Sequence, residues 1–202
     1  MRYIKNLSES EFHIDFPKNI SLITGFNIIP GILRETQGDT ELSDSILKSA
    51  IEAILQFIRL DWTMDIPYVA GYSEDGQHIY IDKDCPKKYE KIDLKKTLVA
   101  HEATEIAVLS LFKLEYKQAH QIALRVEKAL VEAYGYNWED YNKFFEPIIK
   151  KIGDKKLVNV PQDLDLQPYE DEHDEKELDA LRKVMKSIPD NPKMQESKKR
   201  SL

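Results

Sequence analysis

The residues of this chain best suited to chemistry lie in Val99-Ala-His-Glu-Ala-Thr-Glu-Ile-Ala107, where His101, Glu102 and Glu105 fall on neighbouring faces of one expected helix. Two ligands four residues apart hold a metal ion from one helix face, and a glutamate directly after the first can accept a proton from water on that ion. The spacing is that of H-E-x-x-H with Glu105 in place of the second histidine. A carboxylate oxygen binds zinc at about 2.0–2.2 Å, so the exchange keeps a usable ligand.

The helix that must present them follows from the spacing of its apolar residues. After Asp93, a suitable N-cap, Leu94, Leu98, His101, Glu105, Val108 and Phe112 recur at steps of three and four. Two ionisable groups therefore sit on an inward face, where a charge is costly unless paired or bound to metal. Tyr116, His120, Ala123, Glu127, Leu130 and Tyr134 repeat the alternation. If the chain reverses near Lys113 and Leu114, then His101, Glu105, His120 and Glu127 meet. Either His120 or Glu127 then completes the set as third ligand, or both join it. A single helix over 93–135 fits the same periodicity and would hold His101 and Glu127 about 39 Å apart. The hairpin is the expectation, because uncapped helices well beyond 25 residues are unusual outside coiled coils, membrane spans and repeats.

Composition sets the outer limits. With 202 residues and 42% hydrophobic content the chain can bury one core, expected over residues 1–160, followed by a mostly disordered tail over 161–202. That tail runs from acidic, Glu170-Asp-Glu-His-Asp-Glu-Lys-Glu177, to basic, with a short helix expected at about Glu175 to Ser187. A formal charge of −7 argues against a general nucleic-acid binder. The single cysteine, Cys85, excludes an internal disulfide and any multi-cysteine zinc site. No apolar run reaches the roughly 20 residues of a membrane span, and the first residues lack a signal-peptide core. A cytoplasmic protein is expected.

Of the remaining elements, Glu11–Phe16 and Ser21–Thr24 read as short strands, and His13 carries no assigned role. Leu42–Leu60 reads as a helix burying Ile46, Ala50, Ala53, Ile54, Phe57 and Ile58. Pro67–Tyr72 and His78–Asp82 form a hairpin signal, with Gly76 supplying positive φ in its turn. A final helix runs from about Asn137 to Ile152, with Gly153 as its stop and Pro147 as a kink. The class is α+β: a helix and a small antiparallel sheet packed on the helical hairpin. No serine triad, glycine-rich phosphate loop or dinucleotide fingerprint is present.

Over residues 42–135 this order resembles a minimal zincin-like metallopeptidase core. The resemblance implies His101 and Glu105 as ligands of zinc, Glu102 as general base, and Glu127 or His120 as the next ligand. It also implies a sheet edge at Ile79–Asp82 that pairs with an extended peptide substrate. Tyr72 or Tyr80 would donate to the oxyanion. Ile79-Tyr-Ile-Asp82, His101-Glu-x-x-Glu105, Tyr116-x-x-Ala-His120, Glu127 and Gly135-x-x-Trp138-x-x-Tyr141 together resemble small phage and prophage proteins of no established activity. Two further readings stand beside a zinc hydrolase. One is an iron, manganese or purely structural metal site. The other is a phage accessory or interaction protein whose four residues form only a buried polar network.

Overall fold

The computed structural model describes residues 40–112 and 114–167, together with 182, 183 and 185. The expected strands before residue 25, His13, the acidic run and the basic end lie outside the described residues. Among the described residues four helices and two small sheets make an α+β fold. In order these are α1 (Thr40–Phe57), β1 (Arg59–Asp61), β2 (Ala70–Tyr72), β3 (His78–Ile81), β4 (Lys88–Tyr89), β5 (Ile92–Asp93), α2 (Leu94–Phe112), α3 (Tyr116–Ala133) and α4 (Trp138–Gly153).

The helical hairpin forms, and a single helix over 93–135 does not. Asp93 begins α2 as expected, its Oδ1 accepting from Lys95 N–H at 3.1 Å. The break after Phe112 needs neither Gly nor Pro. Glu115 takes an extended conformation, φ −68° and ψ 151°, and its N–H donates to the Gln118 side chain at 3.2 Å. At the other end of α3, Gly135 adopts φ +84°, and Tyr136 N–H reaches back to Val131 C=O at 3.2 Å. Gly135 N–H bonds to Glu132 C=O, completing a left-handed helix stop that turns the chain into α4. Asn137 caps α4 by accepting from the N–H groups of Glu139 and Asp140. Gly153 is the last residue of α4 rather than its left-handed stop, and Pro147 sits inside the helix without ending it.

Helix α2 is the centre of the molecule. It packs against α1, α3 and both sheets, and every residue from Thr97 to Val108 is buried. The face of α1 that meets the core is shifted from the expected one: Leu47, Ile51 and Leu55 are buried and the expected Ala50, Ile54 and Ile58 pack half-buried beside them, while Ile46 and Phe57 are 40% and 80% exposed and Ala53 is exposed. Each buried aliphatic side chain contributes about 1.5–3 kcal/mol of transfer free energy, which sets the register of α1. The helix ends at Phe57, three residues early, because Arg59–Asp61 enters a sheet.

That sheet is mixed rather than a hairpin alone. Its order is β1-β3-β2, with β1 parallel to β3 and β2 antiparallel to it. The β2–β3 turn places Gly76 at φ +66°, as expected. Strand β3 is consequently central, and Ile79–Ile81 pairs on both sides, so it is not the edge required for an added peptide strand. The edge next to the helices is β2.

The chain also stays on the domain past residue 160. Val160 and Leu164 are buried with Ile66, Tyr80 and Met185 in a second apolar cluster, so residues 161–167 are part of the fold and not of a tail. Of the helix expected at about 175–187, Arg182, Lys183 and Met185 are described and helical. Beneath this cluster Lys155 Nζ bridges Asp65 (2.9 Å), Asp82 (2.5 Å) and Asp84 (3.1 Å), and Lys83 pairs with Asp65 at 2.9 Å. This lock ties the end of α4 to the loops flanking β2 and β3.

Candidate metal centre

Helices α2 and α3 bring His101, Glu105, His120 and Glu127 into one network, as the alternation of both helices predicts. Their parts differ. His101 Nε2 lies 3.2 Å from Glu105 Oε1 and 3.2 Å from His120 Nδ1, and the latter two are 2.7 Å apart. Glu127 lies on the far side of the imidazole, its Oε2 2.9 Å from His101 Nδ1. The three converging atoms are thus those of His101, Glu105 and His120. Between the two candidates for third ligand, the geometry favours His120. Glu127 occupies the position of a carboxylate that fixes the ring and tautomer of a ligating histidine.

The fit to an ion can be checked from the donors. Atoms on a tetrahedron with bonds of about 2.1 Å stand about 3.4 Å apart. The three here are 2.7–3.2 Å apart, so an outward movement of a few tenths of an ångström accommodates zinc. Two imidazoles and a carboxylate suit zinc, iron or manganese.

Behind Glu127 stands a support that the sequence did not reveal. Tyr141, buried in α4, donates to Glu127 Oε1 at 2.8 Å, and Thr97 Oγ1 lies 2.9 Å from the same hydroxyl. Thr97 stands four residues before His101 on the same face of α2, a signal available in the sequence. Tyr141 had no such signal and read as plain core. At the mouth of the site Tyr116 stacks on the half-buried ring of His120, centroids 5.8 Å apart.

The electrostatics follow from burial and pairing. Burial disfavours a charge on His101, but hydrogen bonds with Glu105 and Glu127 outweigh it and hold its pKa well above 6.5. Burial also acts against the Glu105 carboxylate, yet bonds from His101 and His120 bring its pKa below the ordinary value. Glu102, lacking such partners in its balance, is pushed well above 4.5, first by burial and then by the charge of Glu105. Binding a cation at Nε2 would release the His101 proton while leaving Nδ1–H on Glu127.

The cluster opens into a cavity of about 730 Å³ between β2 and helices α2, α3 and α4. His101, Glu102, Glu105, His120 and Glu127 all line it. Leu98, Leu124, Trp138, Phe145 and Ile149 add apolar lining to the same cavity. Of the two tyrosines expected as oxyanion donors, Tyr72 lines this cavity. Its hydroxyl is buried with no hydrogen-bond partner among the described residues, and burial followed by the charges of Glu105 and Glu102 keeps it protonated. Tyr80 instead donates to Asp163 Oδ1 at 2.8 Å, in the second apolar cluster. Comparisons with protein-family models, curated proteins and solved structures return no match. Among the described residues no helix is long and apolar enough to cross a membrane.

Proposed function

We propose that this chain is a metal-dependent hydrolase with a minimal zincin-like arrangement, acting on a peptide. The observation that carries the reading is the convergence of His101 Nε2, Glu105 Oε1 and His120 Nδ1 in a cavity wall that also holds Glu102. Bound zinc would supply Lewis acidity toward a carbonyl and acidify water. His101, Glu105 and His120 would hold it, and Glu127 with Tyr141 would keep His101 in one tautomer. The burial and the Glu105 charge that keep Glu102 protonated would be offset by a bound cation, and the ionised Glu102 would accept the proton of the attacking water and return it to the leaving amine. The neutral Tyr72 hydroxyl donates to the carbonyl oxygen as charge grows there. Edge strand β2, rather than β3, offers backbone groups to an extended substrate. The apolar lining takes a side chain.

One observation favours a second reading. The four residues already hydrogen-bond to one another at 2.7–3.2 Å, as in a structural network of an accessory or interaction protein. Elemental analysis of the full chain, purified without a metal-binding tag, separates the two. Near-stoichiometric zinc, lost in His101→Ala and His120→Ala, supports the metal centre, and peptide hydrolysis abolished in Glu102→Gln with zinc retained supports the enzyme. A chain that takes up no zinc, iron or manganese is a network protein.

A further inference from the structure

The two histidines of the candidate centre are held by different means. His101 is met at both ring nitrogens, by Glu127 at Nδ1 (2.9 Å) and by Glu105 at Nε2 (3.2 Å), and Tyr141 stands behind Glu127. His120 makes its hydrogen bonds through Nδ1 alone, with Glu105 at 2.7 Å and His101 at 3.2 Å. A ligating imidazole is ordinarily oriented by a carboxylate, a carbonyl or water at its other nitrogen. Among the described residues no carboxylate or carbonyl reaches Nε2 of His120.

An aromatic face meets this ring instead. Tyr116 lies four residues earlier on the same side of α3, and its ring stacks on that of His120, with centroids 5.8 Å apart and planes at 24°. The ring of His101 approaches edge-on, at 4.9 Å and 62°. Tyr116 is the first residue of α3, and the capping box between Glu115 and Gln118 holds that turn in helical form. The stack is therefore built on a fixed turn.

Exposure marks the route by which an ion reaches the three donors. The side chains of His101 and Glu105 are 9% and 2% exposed, against 38% for His120. Behind His101 stand Glu127, Tyr141 and Thr97, all buried. His120 and Tyr116 both line the cavity. Of the three candidate ligands, His120 is thus the one most open to solvent and the one without a hydrogen-bonded orienting partner.

We propose that Tyr116 is the positioning residue of His120, and that the ion enters and leaves past this pair, with His120 the last ligand to close and the first to release. The stack does for His120 what the Glu127 carboxylate does for His101. The inference rests on the metal part of the reading above and not on peptide hydrolysis.

The test is the rate at which the full-length, zinc-loaded chain gives up its ion to excess chelator, read beside equilibrium affinity. Tyr116→Leu removes the ring and keeps apolar bulk, and is expected to speed release and weaken affinity about tenfold or more. Tyr116→Phe keeps the ring and is expected to match wild type, which separates the stack from the hydroxyl. Thermal unfolding of the metal-free proteins reports any loss of folding separately, and Tyr116→Met makes the same comparison should Tyr116→Leu fail to fold. Unchanged release in the folded ringless variant overturns the inference, as does a Tyr116→Phe chain that releases zinc as fast as the ringless one. A wild type that takes up no zinc, iron or manganese removes the metal centre and this inference together. Zinc held under the control of Tyr116 with no peptide hydrolysed removes only the enzyme.

Discussion

Two buried charge clusters in this molecule are built on opposite plans. In the lock, Asp65 and Asp82 are 1% and 0% exposed, and their charges are met by the ammonium groups of Lys83 and Lys155. In the candidate centre, Glu105 and Glu127 are met by the imidazoles of His101 and His120 and by the neutral Tyr141 hydroxyl, with no ammonium among their partners. An ammonium at neutral pH is a fixed partner, so the lock is closed. An imidazole can surrender its proton for a metal, so the centre is exchangeable. The difference separates a cluster that holds the fold from one that can act.

The largest expected effect breaks the lock. Lys155→Met leaves Asp65 and Asp82 buried with half their positive charge gone, and is expected to cost about 3–5 kcal/mol in urea unfolding. It should leave metal stoichiometry of the folded fraction unchanged. Next comes the orienting carboxylate. Glu127→Gln keeps the shape but weakens the hold on His101, and should lower zinc affinity about 10–100-fold without abolishing binding, read by competition with a chelator. If zinc binding is lost altogether, Glu127 is itself a ligand. Tyr141→Phe, which removes only the hydroxyl behind Glu127, should cost less, about 0.5–1.5 kcal/mol of stability with a small fall in zinc affinity.

The mildest test is pH. Burial raises the Asp65 pKa, but bonds from Lys83 and Lys155 outweigh it, so the net folded value lies below 3.8. Its contribution is therefore full above about pH 3.8 and is lost as pH falls through the depressed value. Lys155 is lowered by burial but raised more by Asp82, Asp65 and Asp84, giving a value above 10.5. Its share is full below pH 10.5 and is lost as pH rises through the raised value. Thermal unfolding across both windows should show loss at each extreme in wild type, and a reduced alkaline loss in Lys155→Met.

The comparison also explains which parts of the chain were legible. The hairpin and its four polar residues were readable because ionisable groups recur at helical spacing within two periodic segments. The helix break was hidden, since an extended Glu115 bonded through Gln118 leaves no Gly or Pro to mark it. Strand β1 has only Arg59-Leu60-Asp61 and owes its existence to pairing with β3, which no local pattern records. Pro161 and the aspartates after it have the composition of a tail, yet Leu164 is buried by contacts from far along the chain. On α1 the expected Ala50, Ile54 and Ile58 do pack on the core, but its centre runs through Leu47, Ile51 and Leu55, because Ile46 and Leu47 are adjacent and equally apolar and only packing chooses between them. The role of Tyr141 depended on a tertiary contact with Glu127, 14 residues away on another helix.

Helix α2 is enclosed on every side, and this bears on how the protein tolerates change. A helix at a surface has one side free to vary, so substitution costs rise and fall every three or four residues. From Thr97 to Val108 there is no such side, and a saturation survey of this segment should show near-uniform intolerance, in contrast to the periodic profile of α4. Residues kept there for chemistry and residues kept for packing would look alike in such a survey. Only measurements that separate folded yield from metal uptake can tell His101 or Glu105 from the alanines beside them.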